Sequence, residues 1–310
     1  MTMAIDLEND IVLLTCASGK QCSHLIPLLY RRWRKLRLAV HSVQSERDLN
    51  SRYPEAEVVQ GDIAKPEYRD QILAGATVVV YIAPAFHPQE AEIGYAMIEA
   101  ARHEARNGAF KHFIYSSVLH PQLRKLMNHD CKRYVEEYLI ESGLNYTILQ
   151  PSHFLDMFPV ETLLHQAEPV FRANFNPDTA FSFTILQDLA EAFAKVIEER
   201  DRHYLAEYMI CSTRPTSYRD IVATLGHVTG TRISIVTQEF YETAERLQSL
   251  VSKDAGGCHH TTRDGIHRLQ LYYDIYGIKG NPNVLEWLIG RKPMTVEEHF
   301  RKRVSIKEAD

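Results

Sequence analysis

Residues 15–22 read TCASGKQC and follow an apolar run, IVLLT, at residues 11–15. A strand that turns into a helix through glycines spaced G-x-x-G-x-x-G presents backbone N–H groups to a pyrophosphate at the positive end of the helix. Here Cys16, Gly19 and Cys22 hold those three places, so only the middle glycine is present. Thr15, Ala17, Ser18, Gly19, Lys20 and Gln21 are the candidate phosphate contacts, and Lys20 adds a positive charge. Cys22 is small enough for a helix to lie moderately close to a sheet. A Cβ at Cys16 opposes a turn that needs a positive φ. The plain alternative is a strand–helix connection in a fold that has lost its cofactor.

Further candidates follow the later strands. His41 and Ser42 end the second strand, where an acid would favour the free ribose hydroxyl of NAD; with no acid there and Arg47 nearby, the tilt is toward NADP(H). Asp62 and Ile63, in GDIAKPE, follow the third strand, where the carboxylate either accepts from an adenine amino group or caps a turn before Pro66. Ala83 and Pro84 after the fourth strand, and Pro151, His153 and Phe154 after the sixth, fall where ligands meet the carboxyl ends of parallel strands. Phe86, Phe154, Phe158 and Tyr115 offer an apolar substrate pocket, with Tyr115 equally a core residue. His120 and His129 titrate near neutrality and are candidate proton carriers. Cys258, His259 and His260 are adjacent in a glycine-rich loop with no second ligand pair at zinc spacing, so no metal is expected.

The elements that must position these residues are legible as alternating runs. Strands are expected at 11–15, 36–41, 57–60, 77–82, 110–115 and 146–149, and helices at 20–32, 66–74, 89–105 and 122–142. TVVVYI at 77–82 does not alternate, as in a strand buried on both faces. The pattern loosens after Pro151, then gives helices at 187–199 and 217–229, short strands at 207–211 and 232–236, and a mostly helical tail. The segment 256–265 reads as a mobile loop. The expectation is α/β: a Rossmann-type doubly wound parallel sheet with a smaller, mostly helical C-terminal substrate domain. Its boundaries are 1–155 plus 187–212 for the dinucleotide-binding part and 156–186 plus 213–310 for the cap.

FKHFIYSSVLHPQLRKLMNHDCKRYVEEYLIESGLNYTILQPSHFLDMF at 110–158 resembles the NmrA-like family of atypical short-chain dehydrogenases, fungal members especially. GDIAKPE at 61–67, QDLAEAFAKVI at 187–197 and GNPNVLEWLIGRKPMTVEEHF at 280–300 carry the same resemblance. It implies a Rossmann domain, a smaller C-terminal domain and a cleft between them. It also implies either an NAD(P)H-dependent reductase, some of which serve fungal secondary metabolism, or a dinucleotide-binding regulator. A conventional member of the wider group uses Ser, Tyr and Lys, the tyrosine four residues before the lysine on one helix face. Lys132 holds the lysine place and Ser116 and Ser117 the serine place, but Asn128 stands where the tyrosine belongs. Lys132, Ser117 and His129 are therefore the catalytic candidates. The bland reading of Lys132 is a surface lysine paired with Asp130 or Glu136.

Totals bound the rest. A net charge of −5 gives no pull toward nucleic acid or anionic lipid, and no apolar stretch is long enough to span a membrane. The start of the chain lacks the pattern of a signal peptide, and five scattered cysteines read as reduced thiols of a cytoplasmic protein. The preferred expectation is an NADP(H)-dependent oxidoreductase acting on a small organic molecule. A non-redox isomerase, cyclase or lyase with weak cofactor binding, and a dinucleotide sensor without turnover, stay open, as do a homodimer or a protein partner.

Overall fold

The computed structural model describes residues 5–251 and 260–307. Strands and helices alternate from the start: β1 (Ile11–Leu14), α1 (Lys20–Leu29), β2 (Lys35–Val40), α2 (Val43–Arg52), β3 (Glu57–Gln60), α3 (Pro66–Leu73), β4 (Val78–Ile82), α4 (Glu90–Asn107), β5 (His112–Ser116), α5 (Met127–Glu141) and β6 (Tyr146–Pro151). Next come β7 (His153–Phe154), α6 (Val160–Leu164), β8 (Val170–Ala173), β9 (Ala180–Phe181), β10 (Phe183–Thr184), α7 (Leu186–Glu199) and β11 (Ala206–Ile210). The chain continues with β12 (Thr216–Ser217), α8 (Tyr218–Thr229), β13 (Ser234–Thr237), α9 (Phe240–Val251), α10 (His260–Tyr276), α11 (Asn283–Ile289) and α12 (Val296–Lys307).

One seven-stranded sheet runs in the order β11-β6-β5-β4-β1-β2-β3, with β1 to β6 parallel. This is the doubly wound α/β arrangement. The unbroken apolar run of β4 is buried along its whole length, as a strand covered on both faces must be. Strand order reverses between β1 and β4, so the loops leaving those two strands diverge and open a crevice at their carboxyl ends.

The chain divides into two compact units: Met1–Gln122, His129–Gln150 and Leu189–Tyr208, which carry nearly all of the sheet, and Leu123–Asn128, Pro151–Asp188 and Met209–Asp310. The second unit holds three two-stranded pairings, β10 with β7, β12 with β9 and β13 with β8, beside helices α8 to α12. Within it the carboxylate of Asp188, fully buried, accepts from Ser212 Oγ at 2.7 Å, Arg291 at 2.7 Å and the Met294 N–H at 3.0 Å.

Three expectations change. Helix α2 has no counterpart in the sequence reading because SVQSERDLN is polar and only Leu49 is buried, leaving no apolar period to read. Residues 260–265 are not loop but the first turns of α10, whose Thr262, Gly265 and Ile266 are buried. The rest of the expected loop, with Cys258 and His259, lies at 256–259, outside the described residues. Helix α5 begins at Met127 rather than 122. Among the described residues no helix is long and apolar enough to cross a membrane.

Candidate functional site

The loop leaving β1 is built by its own hydrogen bonds. Thr15 is fully buried, and its hydroxyl donates to the Ile82 carbonyl at 2.9 Å and accepts from the Ile82 N–H at 2.8 Å. That staples the ends of β1 and β4 together. Thr15 thus acts structurally, and its hydroxyl proton is already given to Ile82 rather than free for a phosphate. Cys16 adopts φ +47°, the left-handed conformation the missing glycine would have supplied. The turn survives the Cβ. Its carbonyl accepts from the Gly19 N–H at 2.8 Å, and a Cβ on Gly19 would stand only 3.0 Å from that same oxygen.

Gly19 is the N-cap of α1 and brings no side-chain cap, so the first N–H groups of the helix point out of its start without an intrahelical acceptor. Ser18, Gly19 and Lys20 are exposed there, while the buried Ala17 gives its N–H to the Ala39 carbonyl at 3.0 Å. Cys22 is fully buried under α1, with its thiol directed at the Thr15 carbonyl, 3.6 Å away. Burial pushes its thiol pKa far up, which makes it a packing residue. Gln21 accepts from Ser116 Oγ at 2.8 Å and ties α1 to the end of β5. The loop fits a diphosphate: uncapped helix amides, a small residue at Gly19 and an exposed cation at Lys20.

At the end of β2, Ser42 caps α2, accepting from the Ser45 N–H at 3.1 Å, and the exposed His41 gives its carbonyl to Gln60 at 2.7 Å. Asp62 Oδ1 accepts from the Ala64 N–H at 2.9 Å, the turn-capping role. Ile63 packs against the apolar core. Ala83 is buried and Pro84 half-buried on the chain leaving β4.

On α5, Lys132 is neither exposed nor paired with Asp130 or Glu136. Asp130 pairs with Arg133, and Lys132 forms a buried ion pair with Glu90, the first residue of α4. Burial opposes the lysine charge and Glu90 more than restores it, so its pKa stands above the ordinary lysine value. The other Glu90 oxygen accepts from the Phe86 N–H at 2.9 Å, and the Cys131 thiol bonds the same carboxylate. The Cys16 thiol feels both charges of the pair, while burial lifts its pKa to about 11. Ser117 is buried, and its hydroxyl faces Glu136. Glu136 Oε1 accepts from Gln150 at 3.0 Å. Burial lifts the Glu136 carboxyl to about 7, with Ser117 and Gln150 acting the other way.

His129 is fully buried, and burial lowers its pKa to about 4, so it is neutral at physiological pH and turned inward; its Nδ1 lies 3.3 Å from the His120 carbonyl. Tyr115 is core, stacked on Tyr81 with centroids 5.6 Å apart.

In the second unit, Pro151 closes β6, and His153 and Phe154 form β7. The His153 ring is ringed by Phe175, Phe181, Phe183, Tyr218 and Tyr273, with centroids 5.4–6.2 Å away, and its Nε2 lies 2.7 Å from the Tyr218 hydroxyl. That cluster engages the imidazole through Nε2 and packs aromatic rings around it. Phe158 is likewise buried, stacked on Phe171 at 4.7 Å. Among the described residues no group of three or more His, Cys, Asp or Glu side chains is placed to hold a metal.

Glu90 and Gln150 were not singled out from the sequence, and Glu136 was named only as a surface partner for Lys132. Glu90 lies 42 positions from Lys132, and only the fold brings the two together.

The fold is shared with solved reductases and a regulator. A quinone oxidoreductase of Escherichia coli complexed with NADPH is 20% identical, with a TM-score of 0.76 over 95% of this chain and 100% of that one. A Citrobacter triphenylmethane reductase complexed with NADP(H) is 18% identical, with a TM-score of 0.74 over 94% and 99%. NmrA, a negative transcriptional regulator solved with NAD, is 16% identical, with a TM-score of 0.74 over 97% and 98%. No curated protein sequence matches the chain significantly. The profile of the NmrA-like family matches residues 8–297, nearly the whole length, and the chain belongs to that family.

Proposed function

We propose that the protein is an NADPH-dependent reductase of a small aromatic or quinone-like acceptor. The observation that carries this reading is the uncapped start of α1 at the strand-order switch point, with Gly19 and Lys20 at its mouth. The N–H groups of the first turn of α1 hold the pyrophosphate and Lys20 screens its charge. Ser42 and His41 meet the adenosine ribose, and with no acid among them a 2′-phosphate is tolerated. Lys132 lies on the nicotinamide side. A bound reduced nicotinamide supplies a hydride. The chain brings no tyrosine acid, because Asn128 stands in its place, and buried, neutral His129 does not substitute for it. Acceptors that spread the incoming electron pair over a conjugated system need no strong acid at the moment of transfer, and this favours quinones and dyes over simple ketones. The named relatives that reduce such compounds support the same class. The test is to follow oxidation of NADPH by purified protein against a panel of quinones and aromatic ketones. Turnover with quinones, lost on reversing the charge of Lys20, is the expected result; no binding of NADPH at all overturns it.

A second reading, a dinucleotide sensor without turnover, is favoured by the Lys132–Glu90 pair, which occupies the lysine a reductase would use. It predicts saturable NADPH or NAD binding and no oxidation with any acceptor of the panel.

A further inference from the structure

One carboxylate holds two parts of the candidate site. Glu90 pairs with Lys132 through Oε1, and its Oε2 accepts from the Phe86 N–H at 2.9 Å. It is nearly sealed from water, 4% exposed, and opens α4, where the helix dipole favours an anion. Phe86 stands at φ +63°, a left-handed conformation that a residue with a Cβ keeps only when its surroundings hold it. The bond from its N–H to Glu90 is such a hold. Phe86 follows Ala83, Pro84 and Ala85 on the chain that leaves β4 at the switch point. The ammonium keeps further N–H donors, but it cannot move toward a ribose hydroxyl beyond the reach of Glu90 without stranding a buried charge.

We propose that Glu90 is an internal competitor for Lys132: the nicotinamide half of a dinucleotide gains Lys132 only when the Lys132–Glu90 pair opens, and that opening frees the segment 84–89. This inference rests on the reading that the loop after β1 takes a dinucleotide, and the experiment separates the two. Glu90→Gln keeps an acceptor for the Phe86 N–H and removes the charge that holds Lys132. Calorimetry compares NADPH with adenosine 2′,5′-bisphosphate, which lacks the nicotinamide riboside, on wild type and variant. Binding of the bisphosphate is expected to be equal in the two proteins, and NADPH is expected to bind the variant at least tenfold more tightly. Amide exchange at Phe86 is expected to speed up when wild type is saturated with NADPH. Equal or weaker NADPH binding by the variant, with bisphosphate binding intact, overturns the competitor and leaves the dinucleotide reading standing. Failure of NADPH and the bisphosphate alike to bind either protein overturns the reading and the competitor with it. If Glu90→Gln does not fold, Glu90→Asp, one methylene too short to reach both partners, is expected to tighten NADPH binding in the same sense, and no tightening there counts against the proposal.

Discussion

Cys16 keeps its left-handed backbone at a cost of about 1–2 kcal/mol for a residue with a Cβ. Glycine at that site would shed the strain and lose part of the gain to its greater freedom in the unfolded chain. Cys16→Gly is therefore expected to raise stability by about 0.5–1 kcal/mol in chemical denaturation and to leave NADPH affinity no weaker. Loss of stability would show that the thiol packs better than its φ suggests. Glu136 makes a second prediction at this scale. Its hydrogen-bond neighbours Ser117 and Gln150 are neutral and the charge of Lys132 offsets only part of its burial, so its carboxyl stands at about 7 in the folded protein. Folded protein thus holds this proton more tightly than the unfolded chain does. Stability from this group is full below the ordinary carboxylate range and falls as pH rises toward about 7, by about 3 kcal/mol in all. Glu136→Gln is expected to be the more stable protein above that window and to flatten the pH dependence within it, read from thermal melts across pH. Gln150→Arg would act in the same direction by restoring a counter-charge.

Helices α4 and α5 meet without a side chain on one face. A Cβ on Gly94 would lie 2.5 Å from Val135 Cγ2, so the two backbones approach only because residue 94 has none. Gly94→Ala is expected to cost about 1–3 kcal/mol through overpacking. Adding Val135→Ala should return part of that loss, a coupling that a double-mutant cycle measures. These helices carry Glu90 and Lys132 at the places where they meet, so the packing sets the reach of that pair. Much of this was legible in the sequence. The apolar runs of β1, β4 and β6, and Lys132 on a helix after β5, follow from residue pattern and family resemblance alone. What was not legible depended on pairings between distant segments: Thr15 spending its hydroxyl on Ile82, Lys132 finding Glu90, and His153 closing against Tyr218. Residue type advertises a hydroxyl or an imidazole but not what has already claimed it. Helix α2 escaped for the opposite reason, since a polar surface helix with one buried leucine carries no period.

In the whole molecule, Asp188 is a fixed point of the second unit, a fully buried carboxylate with three donors. Asp188→Ala leaves Ser212 Oγ and the Met294 N–H without their acceptor and is expected to cost about 3–5 kcal/mol, seen as an earlier denaturant midpoint. A smaller cost would mean that water replaces the carboxylate. The seven-stranded sheet draws its last member, β11, from residues 206–210, whereas its neighbour β6 ends at Pro151. During synthesis on the ribosome, β6 therefore emerges long before the strand that covers it. Until then its outer backbone groups form an open edge able to pair with another nascent chain. Expression yield should accordingly depend on how fast translation crosses residues 152–205. Chaperones that shield strand edges would then engage the chain in that interval.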